Sequence, residues 1–382
     1  MRLFLLAFFT IYGLMHLYAF LKARAALRFT AAAAVPVLIF MAVMVAAPAL
    51  VRYLERYGQE MPARILSHVG YIWLGLLFLF VSASFALDIY RIVVFLAGGV
   101  SRRGMSVLSL SPGVSFFLAL VFACSAAVYG YFDARNIRTE HITIPTAKLP
   151  VGRNRLRLVQ ISDVHAGLIV REDRLRRIAG AVRAAGPHIL VSTGDLVDGQ
   201  INRLEGLAEI LRGIDSPLGK YAITGNHEFY AGLEQALDFT EKAGFEILRD
   251  RAADVAGVVN LIGVDDQTAA RQYGIMNEEA EGRLLAQADQ KIFTILLKHR
   301  PLVEKQSLGL FDLQLSGHTH KGQIFPFTLV TNLYYPRHAG ILHLQGYSRL
   351  YVSRGSGTWG PPIRFLSPPE VTIVDLVREE GR

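Results

Sequence analysis

The chain has 382 residues, 52% of them hydrophobic and only 19% charged. That balance excludes a disordered or collagen-like chain and is too apolar for an ordinary soluble enzyme, while a lone cysteine, Cys124, excludes a disulfide framework. The net charge of +8 divides unevenly, since residues 1–131 carry 10 Lys and Arg against 3 Asp and Glu and residues 132–382 carry 30 against 29. The polar part therefore lacks the basic footprint of a nucleic-acid binder, and no nucleic acid is expected as a partner.

A helix needs about 20 mostly apolar residues to cross a bilayer. Leu3–Leu21, Phe29–Val51, Ile65–Leu87 and Val107–Tyr131 meet that length without a charged residue. They are apolar all round, as lipid requires, which predicts a bundle of about four transmembrane helices over residues 1–131. Asp88 and Arg91 open a fifth apolar piece ending near Val100, short enough to suit the interface. Ala23-Arg24-Ala25 imitates a signal-peptide cleavage site, but the run before it is long and a second span follows at once, so an uncleaved helix is expected. Loop charges leave the side of the membrane open: Lys22, Arg24, Arg28, Arg91, Arg102 and Arg103 on one face oppose Arg2, Arg52, Arg56, Arg64, Arg135, Arg138 and Lys148 on the other. His16 and His68 are the ionisable groups within the spans, and two histidines make a poor ion pathway. They read as packing residues, and the module reads as an anchor.

Residues 132–154 read as a linker with a lead-in strand, and the texture changes at Leu156. Leu156–Ile161, Ile189–Ser192, Tyr221–Thr224, Ile292–Leu297 and Leu313–Ser316 predict buried strands. Leu175, Ile178, Ala179 and Val182 keep helical spacing, as do Leu204, Leu207, Ala208 and Leu211. The alternation predicts an α/β domain over residues 155–382.

Each strand ends in a polar cluster, where open α/β sheets place their sites. The clusters are Ser162-Asp163-Val164-His165, Gly194-Asp195-Leu196-Val197-Asp198, Gly225-Asn226-His227-Glu228, His299 before Arg300-Pro301, and Gly317-His318-Thr319-His320. Along an extended chain alternate side chains share a side, so Asp163 and His165 are expected to reach one ion, and His318 and His320 to point the same way. Any one cluster is explained by a turn or a helix cap; five in succession are not. Imidazole, carboxylate and amide without thiolate suit Mn²⁺, Fe²⁺ or Zn²⁺.

This string resembles the calcineurin-like metallophosphoesterases, over residues 155–377. Gly263-Val264-Asp265-Asp266, Gln323 and Ser353-Arg354-Gly355 agree with a membrane-associated bacterial branch, which includes a UDP-2,3-diacylglucosamine hydrolase. The resemblance implies a four-layer sandwich of two mixed sheets with helices outside; with the four apolar stretches, the bacterial branch leads to the expectation of an integral, multi-pass protein of the inner membrane. It implies two divalent ions, Mn²⁺ first with Fe or Zn as alternatives. One would take Asp163, His165, Asp195 and His320, the other Asp195, Asn226, His299 and His318, with Asp195 bridging. His227 would face the substrate phosphate, oriented by Asp198. Lys321 stands where this branch often has Gly, and His188 where an acid is common.

A phosphoester resists hydrolysis because hydroxide must approach a centre already negative. Two ions about 3.5–4 Å apart clamp attacking and leaving oxygens, and a hydroxide bridging them serves as nucleophile. A carboxylate at Asp195 can offer one oxygen to each ion, and an acid at His227 relieving the leaving oxygen typically adds 10²–10⁴-fold. The expected partners are the lipid bilayer and a lipid-linked or small phosphoester. Ile324–Val330 and Asn332–Pro336 form an apolar segment that either meets lipid or packs inside. Arg171, Arg174, Arg176 and Arg177 read first as a solvated helix face and second as a headgroup site. Trp359 either lines the cleft or fills the core. The competing class is a membrane sensor or scaffold that keeps the fold for binding without turnover.

Overall fold

The computed structural model describes residues 2–101, 108–199, 204, 206–269, 274 and 279–379. The chain packs as two units, Met1–Phe132 with Gly360–Ile363, and Asp133–Trp359 with Arg364–Arg382.

In the first unit, helices α1 (Arg2–Leu27), α2 (Ala31–Arg56), α3 (Glu60–Ser101) and α4 (Pro112–Asp133) cover the four expected spans. All four are long and apolar enough to cross a membrane. Val107, the expected start of the fourth span, lies outside the described residues, as do Arg102 and Arg103. The third span and the fifth apolar piece are not separate, because α3 runs through Asp88 and Arg91 as one helix. At 1.5 Å per residue it is about 63 Å long, twice a hydrocarbon core. Asp88 is tolerated within it because Tyr18 of α1 donates a 2.6 Å hydrogen bond to its carboxylate and Lys22 pairs with it. His16 is a packing residue: Nδ1 donates to the Tyr12 carbonyl at 2.8 Å, and Nε2 accepts from the Trp73 indole of α3 at 2.8 Å. An indole nitrogen can only donate, so the tautomer is fixed.

The second unit is built on two six-stranded mixed sheets. The first has the order β1 (Arg138–Thr146), β12 (Glu370–Arg378), β2 (Arg155–Ile161), β3 (Ile189–Ser192), β4 (Lys220–Ala222), β5 (Glu246–Ile247). The second has the order β10 (Gly340–His343), β11 (Arg349–Val352), β9 (Leu313–Ser316), β8 (Phe293–Leu297), β7 (Val259–Gly263), β6 (Arg251–Val255). The expected lead-in strand is β1, an edge strand parallel to β12 in register Arg138↔Glu370. Strands β2 to β5 are mutually parallel, as are β7, β8, β9 and β11.

Period-two alternation sorts the side chains into three apolar layers. From β2, Leu156 and Leu158 enter the core between the sheets, whereas Val159 and Ile161 enter the core under the outer helices. From β8, Phe293, Ile295 and Leu297 face the other sheet and Leu296 faces outward. Helices α5 (Glu172–Ala185), α6 (Leu207–Arg212) and α8 (Leu233–Lys242) cover the first sheet with Leu175, Ile178, Leu207 and Phe239. Helix α9 (Ala280–Gln287) puts Leu285 on the second. Helix, sheet, sheet, helix gives the four-layer sandwich that the sequence led us to expect. Each fully buried Leu or Ile contributes roughly 1.5–3 kcal/mol, so the strands are held by their two-sided burial.

Candidate metal centre

Residues that follow the carboxyl ends of parallel strands in both sheets converge. β2 delivers Asp163 and His165, β3 delivers Asp195 and Asp198, and β4 leads into Asn226 and His227 on the short helix α7 (Asn226–Ala231). From the second sheet β8 delivers His299, and β9 delivers His318 and His320. Two groups of mutually close ligand atoms result, Asp163–His165–His320 and Asp195–His299–His318, with His165–Asp195–His227 between them.

Nε2 of His165 lies 3.0 Å from Nε2 of His320, and Oδ1 of Asp163 lies 3.4 Å from that same His320 atom. In the other group Nε2 of His299 is 3.2 Å from Nδ1 of His318 and 3.2 Å from Oδ2 of Asp195. Oδ2 of Asp195 is also 3.9 Å from Nε2 of His165. One oxygen thus stands toward both groups. The other oxygen, Oδ1, accepts the His227 N–H at 2.8 Å and keeps a second lone pair.

The residues fit a pair of cations. Nδ1 of His165 and Oδ1 of Asn226 are buried without a hydrogen-bond partner among the described residues, and such atoms are costly unless something ligates them. Thr193 O accepts from Nδ1 of His299 at 2.8 Å, the usual support of a ligating imidazole, which turns Nε2 to the site. Burial pushes the Asp163 carboxyl up to about 6. Burial acts the same way on Asp195, but His299 and His227 hold that carboxyl well below its usual range. Burial also pushes the His165 imidazole down to about 3, with His227 adding to it. A neutral imidazole beside carboxylates is a donor set for a borderline divalent ion.

Extended alternation does not produce this convergence. Asp163 (φ 51°), His165 (φ 53°), Asp195 (φ 52°), His318 (φ 70°) and His320 (φ 48°) are all left-handed. Each such residue costs roughly 1–2 kcal/mol, and the set turns the chain sharply after each strand. His318 and His320 consequently face different groups instead of sharing a side. Two glycines allow the close approach. A Cβ at Gly317 would stand 2.2 Å from Oδ2 of Asp163, and one at Gly225 would stand 2.2 Å from Oδ1 of Asp195.

Nδ1 of His227 pairs with Oδ1 of Asp198 at 3.0 Å. Burial works against the imidazolium there, yet Asp195 and Asp198 outweigh it and raise its pKa to about 9. The Trp359 ring lies 6.1 Å from His227 and is half exposed, so it lines the cleft and does not fill the core. The headgroup reading of the α5 arginines loses support, because Arg174 is buried and donates to the Ala134 carbonyl, and Arg177 pairs with Asp173 at 3.2 Å. His188 accepts the Arg157 N–H at 2.8 Å, a structural contact.

Two residues at the site were not singled out by the sequence. Glu228 accepts N–H bonds from Gly225 (2.6 Å), Asp195 (3.0 Å) and Leu196 (2.8 Å), tying the β3 and β4 loops together. The GNHE string names it, but nothing local says its carboxylate reaches another loop. Arg364 is fully buried; its guanidinium donates to the carbonyls of Arg354 (2.7 Å), Gly357 and His320 and meets Nδ1 of His320 at 2.9 Å. It lies 44 positions beyond that histidine, where no spacing rule links them.

The Calcineurin-like phosphoesterase family pattern matches residues 156–322. An uncharacterized metallophosphoesterase of Aquifex aeolicus (strain VF5) is 40% identical over 260 residues, covering 67% of this chain and 98% of the relative. A transmembrane protein with metallophosphoesterase domain of Danio rerio is 35% identical over 274 residues, covering 68% of this chain and 62% of that protein. An uncharacterized metallophosphoesterase of Campylobacter jejuni is 29% identical over 313 residues, covering 80% of this chain and 82% of the relative. The chain belongs to the calcineurin-like metallophosphoesterases, a family of metal-dependent phosphoric ester hydrolases.

Proposed function

We propose that the chain is a multi-pass, membrane-anchored hydrolase of a bacterial inner membrane. Its residues 155–382 cleave a phosphoester or pyrophosphate bond of a lipid-linked or envelope substrate. Asp163, His165, Asp195 and His320 would hold one divalent ion, and Asp195, Asn226, His299 and His318 a second, a donor set that suits Mn²⁺, Fe²⁺ or Zn²⁺; the resemblance puts Mn²⁺ first. The observation that carries the reading is Oδ2 of Asp195, which faces His165 at 3.9 Å and His299 at 3.2 Å from a buried position between the two groups.

When bound, two such ions supply Lewis acidity at the phosphoryl oxygens and bring the pKa of water toward neutrality. The side chains do the rest. Asp163 and Asp195 balance cationic charge in a buried site, while Asn226 adds a carbonyl without another negative charge. Asp198 holds Nδ1 of His227, leaving Nε2 to give its proton to the departing oxygen. The Tyr230 and Trp359 rings stand 5.6 and 6.1 Å from His227, edge-to-face with that imidazole.

The test uses full-length protein in detergent, stripped and reloaded with Mn²⁺, with bound metal and hydrolysis of bis-nitrophenyl phosphate measured together. Two ions per chain with turnover are expected. His227→Ala should keep both ions and slow turnover 10²-fold or more on poor leaving groups, but much less on nitrophenol. An equal loss on every leaving group counts against the acid role. Two bound ions without turnover on any monoester, diester or pyrophosphate would replace the enzyme by the sensor reading.

A further inference from the structure

Helix α10 (Phe327–Tyr334) inverts the pattern of the other helices in its unit. Helix α5 buries Leu175, Ile178, Ala179 and Val182 and turns charge outward. In α10 the buried residue is Thr331, while Phe327, Leu329, Val330, Leu333 and Tyr334 are exposed, the last two at 81% and 78%. Phe325, just before the helix, is exposed as well. A contiguous apolar surface of this kind marks an interaction site. Fraying does not explain it. Thr328 donates to the Lys321 carbonyl at 2.9 Å, and Arg300 donates to the Tyr335 hydroxyl at 3.2 Å, so both ends of the helix are tied down. Tyr335 stands 5.3 Å from His318, which puts this surface beside the metal centre.

Charge indicates what covers it. Between Asp312 and Glu370 the chain has no acidic residue. Of its cations there, Arg354 pairs with Glu140 and Glu370 and Arg364 is buried, which leaves Lys321, Arg337 and Arg349. Lys321 and Arg337 bracket the helix in sequence. Phe and Tyr beside Lys and Arg, with acids absent, is the composition of a segment lying at an anionic bilayer surface. The same chain carries four helices able to cross a membrane, and β1 begins five residues after the last of them ends at Asp133. We propose that α10 and Phe325 lie in the headgroup–acyl boundary of an anionic phospholipid bilayer. The proposal rests on the membrane-anchored reading above, and not on the hydrolytic one. Its consequence is that the apolar part of a substrate can remain in the bilayer while its phosphoester occupies the centre.

Full-length protein is reconstituted into nanodiscs of phosphatidylcholine and phosphatidylglycerol, and a bimane label is quenched by lipids spin-labelled high on the acyl chain. Native Cys124, exposed on α4, reports whether the anchor is inserted. In a Cys124→Ser background, Leu333→Cys reports α10, and Val151→Cys, 91% exposed in a turn, is the soluble control. Quenching at Leu333 at least threefold above that at Val151 is expected, falling at least twofold when phosphatidylglycerol is omitted. Quenching at Cys124 with Leu333 no different from Val151 overturns the proposal and leaves the anchor standing. So does an unquenched Leu333 that cross-links to a second copy of the chain. Failure at Cys124 itself removes the anchor and the proposal together.

Discussion

Asp195 is the residue on which the centre turns, since its two oxygens have different tasks. Oδ1 fixes the start of α7 through the His227 N–H, and Oδ2 faces both ligand groups. Asp195→Asn is expected to lower bound metal from two ions to fewer than one, measured by elemental analysis, with activity down at least 100-fold. Glu228 is the second residue of consequence, because one buried carboxylate collects N–H groups from two loops. Burial, with Asp195 nearby, pushes its carboxyl up to about 7. Glu228→Gln keeps the shape but loses one acceptor oxygen and the charge, and should cost about 2 kcal/mol in a denaturation experiment. Metal affinity should fall with it, since the Asp195 loop is no longer held. An unchanged midpoint and full metal content would show that the loops hold themselves. Both residues were visible in the sequence as letters of a motif. Only the fold shows which of their atoms are already occupied.

At the scale of elements, the strands were legible because two-sided burial writes continuous apolar runs, and the observed β3 and β9 coincide with the expected segments. The strand ends were legible as clusters but not as shapes. Left-handed backbone at Asp163, His165, His318 and His320 follows from the close approach of loops from two sheets, which no local propensity reports. Gly317 shows the constraint most directly. Gly317→Ala would place a Cβ 2.0 Å from the Ser162 hydroxyl and 2.2 Å from the Asp163 carboxylate. Overpacking of this kind typically costs 1–3 kcal/mol. The variant should unfold at lower denaturant and lose the ion proposed to bind at Asp163, and a fully metallated Gly317→Ala protein would contradict the packing described. Helix α10 is the opposite case. Its apolar run was legible, but burial and exposure were equally good readings until the structure turned Thr331 inward and Leu333 outward.

Over the whole molecule, charge is arranged so that the hydrolytic domain depends on pH away from its metal centre. On β12, Asp375 is largely buried and receives Arg157 at 2.8 Å together with Arg155. Burial alone would raise its pKa, but hydrogen bonds from Arg157 and Arg155 outweigh burial and bring it to about 2. The folded value lies below the unfolded one of about 3.9, so this pair stabilises fully above that pH and progressively less as pH falls toward 2. Metal-free protein carrying Asp375→Asn is expected to be less stable at neutral pH and to show a shallower loss between about pH 4 and 2. A wild-type slope in that window would mean that other carboxylates govern acid unfolding. By itself the sequence determined the apolar amino-terminal helices, the α/β alternation and the ligand types, because hydrophobic period and strand-end chemistry are local properties of the chain. Tertiary structure alone decided which oxygen of Asp195 stands between the two ligand groups, that Glu228 and Arg364 reach the site, and that α10 turns its apolar residues outward. Those are contacts between residues far apart in sequence, fixed only when two sheets pack with their strand ends together.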